Sequence, residues 1–168
     1  MPDLYVLDAG ALFSTWSQKV TTGSFLTTPS VLSEIENRPS RMRTEFMKAL
    51  QNLRDVQPSK ESVSLATSAA RASGDLHVLS DTDIELIALA LEEREAGHDV
   101  AMVSTDLAVL NTASHLRISV IDPEKRFKKR ITWKRKCPAC GYVSSGAEGG
   151  IECPVCGTET KRISSRRR

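Results

Sequence analysis

Two groups of residues in this 168-residue chain are of types and spacings that do chemistry. The first is four cysteines, all in the last quarter, as Cys137-Pro138-Ala139-Cys140-Gly141 and Cys153-Pro154-Val155-Cys156-Gly157. Each C-x-x-C wraps one edge of a tetrahedral metal, and the glycine after it admits the tight turn that aims backbone N–H groups at sulfur. Four thiolates close the coordination shell, so the predicted site is structural: a ribbon around one Zn²⁺ per chain. A rubredoxin-type iron site is the chemical alternative, because soft thiolates also suit iron. A module of about 30 residues cannot build a core, so metal binding should supply its folding energy.

The second group is carboxylates. Asp8 closes the apolar run Leu4-Tyr5-Val6-Leu7 and precedes the small residues Ala9-Gly10-Ala11. Asp106 follows the apolar run Val100-Ala101-Met102-Val103 in the same way. Acids at the carboxyl ends of strands in an open α/β sheet stand where such sheets bind ligands. Asp83 sits in the first turn of a predicted helix, and Glu34 in the helix after the second extended piece, so all four can reach one sheet edge. Clustered carboxylates repel unless cations neutralise them, and an all-oxygen site favours Mg²⁺ or Mn²⁺. Such ions activate water for phosphodiester cleavage. Each acid also has a plainer reading: Asp83 and Asp106 as helix caps, Glu34 as a surface acid. Asp81, Glu85 and Glu36 read as solvated, and His77, His98 and His115 show no pairing pattern.

The elements that must position these residues are legible from periodicity. Strands are predicted at 4–7, 25–27, 100–103 and 118–121. Ala9–Trp16 reads as a short helix. Thr28 and Pro29 cap and open another helix. Met42, Phe46, Ala49, Leu50 and Leu53 recur at amphipathic spacing, predicting a helix from Pro39, with residues 55–58 as a connector or a short strand. Ser59 caps an alanine-rich helix ending near Gly74. Ser80 and Asp83 form the pattern of a capping box before Ile84, Ile87, Ala88 and Leu91. A short helix follows Asp106. Strands alternating with helices predict an α/β domain, a mainly parallel central sheet with helices on both faces, over residues 1–123. A basic linker at 124–136, a small β zinc ribbon at 137–160 and a basic tail at 161–168 complete the chain, with residues 163–168 expected to be mobile.

Charge is divided accordingly. Residues 1–123 carry 10 Lys and Arg against 17 Asp and Glu, net −7; residues 124–168 carry 13 against 4, net +9. An acidic body joined to a basic tail points to a nucleic-acid partner held by the tail. Lys128, Lys129, Arg130, Trp133, Lys134, Arg135 and Lys136 are the candidate RNA contacts, since phosphates want cations and splayed bases want flat faces. Alternatively, Phe127 and Trp133 dock the linker onto the body. No apolar run approaches the ~20 residues that cross a bilayer, and nothing resembles a signal peptide or a disulfide framework. A soluble, cytoplasmic protein without a membrane partner is expected. The sequence leaves the oligomeric state open.

The segments Tyr5-Val6-Leu7-Asp8, Thr28 to Ile35, Leu79 to Ile84 and Val103-Ser104-Thr105-Asp106 resemble, in order, the four acidic motifs of PIN-domain ribonucleases. Followed by a basic linker with Ile131-Thr132-Trp133 and a CPxCG…CPxCG ribbon, they are similar to the Nob1-type branch of that family in its compact archaeal form. The resemblance implies Mg²⁺- or Mn²⁺-dependent cleavage of precursor small-subunit ribosomal RNA, in the pre-ribosomal small subunit, to form the mature 3′ end. It implies that Asp8, Glu34, Asp83 and Asp106 hold the metal, with Ser104 or Thr105 assisting, and that Asn111 matches a recurrent family asparagine. The chain departs from the pattern at Thr105, where such sequences often carry a second acid beside Asp106. A non-catalytic RNA-binding assembly factor is the competing reading, and a stand-alone toxin-type ribonuclease a third, against which the ribbon argues.

Overall fold

The computed structural model describes residues 2–14, 16, 19–20, 22–35, 41–42, 44–45, 48, 52–144 and 151–165. Five parallel strands form the central sheet in the order β3-β2-β1-β4-β5: β1 (Leu4–Leu7), β2 (Ser24–Thr27), β3 (Leu53–Asp55), β4 (Val100–Val103) and β5 (Ser119–Ile121). The first strand is thus the middle one. From β1 the chain builds outward through β2 and β3, then returns to β4 on the other side of β1 and continues to β5. Right-handed crossovers in opposite directions put their helices on opposite faces, and the reversal makes the β1/β4 junction a topological switch point. Leu7 pairs in register with Val103, so Asp8 and Ser104 leave the sheet side by side.

Local signals start each helix. Asp8 caps α1 (Ala9–Phe13), Thr28 caps α2 (Pro29–Ser33), Ser59 caps α3 (Lys60–Ser73), Ser80 caps α4 (Asp81–Glu95) and Asp106 caps α5 (Leu107–His115), each side chain accepting a backbone N–H of the first turn. Gly74 ends α3 with φ +81°. The first helix stops three residues short of the expected Trp16, where Ser14 turns its hydroxyl back onto the Ala11 carbonyl at 2.7 Å.

The expected stripe on α4 is wider than one face. Leu86, Ile87, Ala88, Leu89, Ala90 and Leu91 are all buried, because α4 packs against α2, α3, α5 and the sheet together. The predicted helix from Pro39 to Leu53 also needs correction at its end. Leu53 belongs to β3, paired with Phe25, and is 3 % exposed, whereas Met42 is 72 % exposed. Leu53, met at helical spacing, here serves a strand. Residues 41, 42, 44, 45 and 48 are helical, while Phe46, Ala49 and Leu50 lie outside the described residues.

After β5 the basic stretch does not trail away. Asp122 gathers the amides of Glu124, Arg126 and Phe127, at 2.6–2.8 Å, into a compact turn, and Phe127 packs against the core. Trp133–Lys136 then form β6, antiparallel to β7 (Lys161–Ser164). Ile163 and Ser164, expected to be mobile, are therefore held in a strand. The cysteine ribbon is closed by this two-stranded sheet.

Candidate active site and metal centre

Asp8 is the most enclosed of the acids, at 8 % exposure. Its Oδ1 accepts the Ala11 N–H, and its Oδ2 accepts the Ser104 hydroxyl and, at 3.2 Å, the Thr105 N–H. These bonds lower its pKa, but burial outweighs them, and the neighbouring Asp83 charge pushes the same way, so the carboxyl lies above its ordinary range. Asp8 has no basic partner among the described residues.

The other acids are each held by one oxygen. Asp83 Oδ2 accepts the Ser80 N–H and hydroxyl at 2.9 and 2.8 Å, completing the capping box. Glu34 is the C-cap of α2 rather than a residue within it, and its Oε1 accepts the Thr82 hydroxyl at 2.5 Å, which draws α2 to the start of α4. Asp106 Oδ1 accepts the Ala108 N–H at 2.7 Å. The second oxygen of each accepts no hydrogen bond from the described residues. The capping roles weighed above are therefore real, and they also fix where each carboxylate stands. No three of these acids have oxygens within 4.8 Å of one another. Of the lesser candidates, Glu85 is occupied by the Ser30 hydroxyl, Asp81 is exposed, and Glu36 lies outside the described residues.

Thr105, where the second acid was expected, packs its side chain over Gly10: a Cβ on that glycine would meet Thr105 Oγ1 at 2.2 Å. Its carbonyl accepts the Arg126 guanidinium. The turn after β4 is thus tied both to α1 and to the basic stretch.

The four cysteines form a cage. Cys137 and Cys156 sulfurs are 3.5 Å apart, Cys140 and Cys153 sulfurs 3.6 Å, and all four lie within 4.8 Å of one another. A tetrahedral ion with sulfur at about 2.3 Å needs sulfurs about 3.8 Å apart. The glycine prediction holds: Gly141 and Gly157 have φ of +76° and +73°, and their amides return to the carbonyls of Cys137 and Cys153.

The sequence of residues 5–92 matches the family described as the PIN domain of ribonuclease, a span that holds Asp8, Glu34 and Asp83. Endoribonuclease Nob1 of Archaeoglobus fulgidus is 35% identical over 158 residues, covering 94% of this chain and 89% of that protein. This chain belongs to the Nob1-type PIN-domain endoribonucleases. Ribonuclease VapC1 of Thermoplasma acidophilum is 30% identical over 166 residues, 98% of this chain and 80% of its own. The 20S-pre-rRNA D-site endonuclease NOB1 of Saccharomyces cerevisiae is 38% identical over 69 residues, 41% of this chain and 15% of its own.

In this Nob1-type chain the ribbon is fastened to the PIN body by Asp75 and Arg162, which no sequence pattern singled out, and by Asn111, which the family resemblance did. Asp75, just past Gly74, is buried and accepts the Ser73 hydroxyl at 2.7 Å, the Asn111 amide at 2.6 Å and the Arg162 guanidinium from β7. Asn111 also exchanges two bonds with the backbone of Ile131, at 2.7 and 2.8 Å, and His115 Nε2 meets the Ile131 carbonyl at 2.9 Å. Asn111 is here a hook for the linker. In sequence, Asp75 looks like any turn acid, and its partner lies 87 residues away.

The candidate RNA contacts divide. Lys129, Arg130 and Lys136 are exposed; Lys128 is exposed with its ammonium on the Lys125 carbonyl. Lys134 is half-buried. Arg135 is bound within the ribbon to Thr160, at 2.6 and 2.7 Å. Trp133 docks: the Arg162 guanidinium lies 4.2 Å from its ring centroid, and its backbone sits against Gly74.

Proposed function

We propose that this chain is a divalent-metal-dependent endoribonuclease that cuts precursor small-subunit ribosomal RNA, within the pre-ribosomal small subunit and in the cytoplasm, to leave the mature 3′ end. One observation carries the reading. At the switch point of the sheet, buried Asp8 stands beside the Ser104–Asp106 turn and within the field of Asp83, with no basic partner among the described residues. A buried acid next to a second acid is relieved by a bound cation, and the all-oxygen donor set fits Mg²⁺ or Mn²⁺. Asp8, Asp83, Asp106 and Glu34 would hold it, in part through water, since no three of them have oxygens within 4.8 Å of one another and Mg²⁺ commonly keeps several waters. Bound there, such an ion acidifies water and offsets charge on the phosphate.

The chain's own residues supply the positioning. The Ser104 hydroxyl and the amides of Ala11 and Thr105 keep Asp8 in one orientation. The open oxygens of Asp83, Glu34 and Asp106 orient the attacking water, and their caps hold them against mutual repulsion. The cysteine cage, with sulfur spacing close to a tetrahedral zinc–thiolate shell, would take one structural Zn²⁺. The basic linker supports RNA as substrate, and the yeast relative's name supports a ribosomal precursor.

The test is incubation of full-length protein with RNA spanning the small-subunit 3′ end and Mn²⁺, beside Asp8→Asn. The wild type should cut at one position, and Asp8→Asn should cut more slowly by about 10²-fold or more, the loss of several kcal/mol of charge stabilisation. Equal rates, with both proteins folded by circular dichroism, would leave the RNA-binding assembly factor as the better account.

A further inference from the structure

A cavity of about 530 Å³ opens where body, linker and ribbon meet. Its walls are predominantly apolar: Val78 after α3, Leu107 and Ala108 at the start of α5, Phe127 and Trp133. Its rim is cationic, with Arg126, Lys128 and Lys129, all exposed. Val78 and Leu107 are 52 % and 43 % exposed, so the apolar wall is open to solvent. The acid in the wall, Asp75, is already neutralised by Arg162. Arg162 itself carries a buried Nε–H with no acceptor among the described residues.

Two features tie the cavity to the acids. Leu107 and Ala108 directly follow Asp106, and adjacent Cα atoms are about 3.8 Å apart. Arg126, on the rim, donates to the carbonyl of Thr105, the residue before Asp106.

We propose that this cavity seats an unpaired nucleotide of the RNA, its base against the apolar wall and its phosphates on the rim, on the strand's path to Asp106. The inference rests on the ribonuclease reading and specifies where that reading's substrate lies. Three properties choose the occupant. Apolar walls that include the rings of Phe127 and Trp133 suit the face of a base, and cations around the mouth match the phosphates on either side of it. The volume is that of a small-molecule site rather than a groove for a chain of side chains. A paired base cannot enter, because both its faces are already stacked, so the pocket selects single-stranded RNA.

The test uses full-length chain carrying Asp8→Asn, so that binding is read apart from cutting. A single-stranded RNA with 2-aminopurine moved along its length should show a fluorescence change at one position. Val78→Asn with Leu107→Gln, both at exposed positions, should abolish that change and weaken single-strand binding about tenfold, within the range for one stacked base. Duplex binding and the salt slope should not move. Lys128→Gln with Lys129→Gln should instead flatten the slope of log K against log salt by about 1.4 and keep the fluorescence change. Wild-type affinity and signal in the apolar variant would overturn the pocket while leaving the ribonuclease reading intact. Absence of any RNA binding by the parent chain would overturn both.

Discussion

Asp8 and Asp75 are both buried aspartates, and their surroundings divide their work. Asp75 is given everything a carboxylate needs: hydroxyl, amide and guanidinium donors, with Arg162 as counter-charge. It holds parts together. Asp8 has hydrogen bonds, no counter-charge among the described residues and a second acid within its field. In the proposed enzyme a bound cation would balance it. The contrast predicts opposite behaviour. Arg162→Met strands a buried charge and should cost about 3 kcal/mol, near the lower end for a broken buried pair because Arg162 is 30% exposed. Adding Asp75→Asn should recover much of that loss, since no charge then remains unpaired. Thermal unfolding of the two single variants and the double variant checks both signs; a double variant as unstable as the sum of its parts would refute the pairing.

At the scale of elements, the four acids stand where helix ends stand. Three cap or box a helix start and the fourth closes one, so the capping that made Asp83 and Asp106 dismissible also positions them. This much was legible in the sequence, because caps, prolines and strand-ending acids are local signals. The rest was not, for physical reasons. Leu53 matched a helical period by coincidence and was claimed by the sheet edge through pairing with Phe25, a partner 28 residues distant. The all-round burial of α4 depends on three neighbouring helices. The strands β6 and β7 are joined by residues 25 or more apart, in segments rich in Lys and Arg that carry no strand pattern of their own. Gly74 bears a double constraint that its sequence position suggests only by half. It ends α3 in the left-handed region, and a Cβ there would lie 2.8 Å from Trp133 Cβ. Gly74→Ala should therefore cost more than the roughly 1–2 kcal/mol of a left-handed residue, and its excess should shrink in a Trp133→Gly background without vanishing, because the Trp133 carbonyl oxygen stays 3.0 Å from the added Cβ. Denaturant titration of the single and double variants measures it.

For the molecule as a whole, the division of charge into an acidic body and a basic tail is real in number but not in space. The positive segment is stitched across the negative one by Asn111, Asp75, Phe127 and Thr105. The acidic edge that would hold metal is thereby brought beside cations that would hold phosphate, and the ribbon's metal would be coupled to the stability of the body. β7 closes the cysteine ribbon and also carries Arg162 to Asp75. Removing the ribbon's metal should unfold the ribbon and also lower the melting temperature of the PIN body, because Asp75 loses its partner. Purified protein should contain about one zinc per chain, and a chelator-treated sample whose body melts unchanged would refute the coupling.

The hook between Asn111 and Ile131 has a bearing on inheritance and engineering. A domain that hangs on a loose tether can be copied, lost or exchanged without touching its neighbour. Here the tether is part of the wall, and its anchors are scattered through the body at Gly74, Asp75 and Asn111. A ribbon spliced onto a foreign PIN domain would arrive without its sockets. The two parts of this protein are a matched pair, and a working hybrid would have to carry those three body positions along with the ribbon.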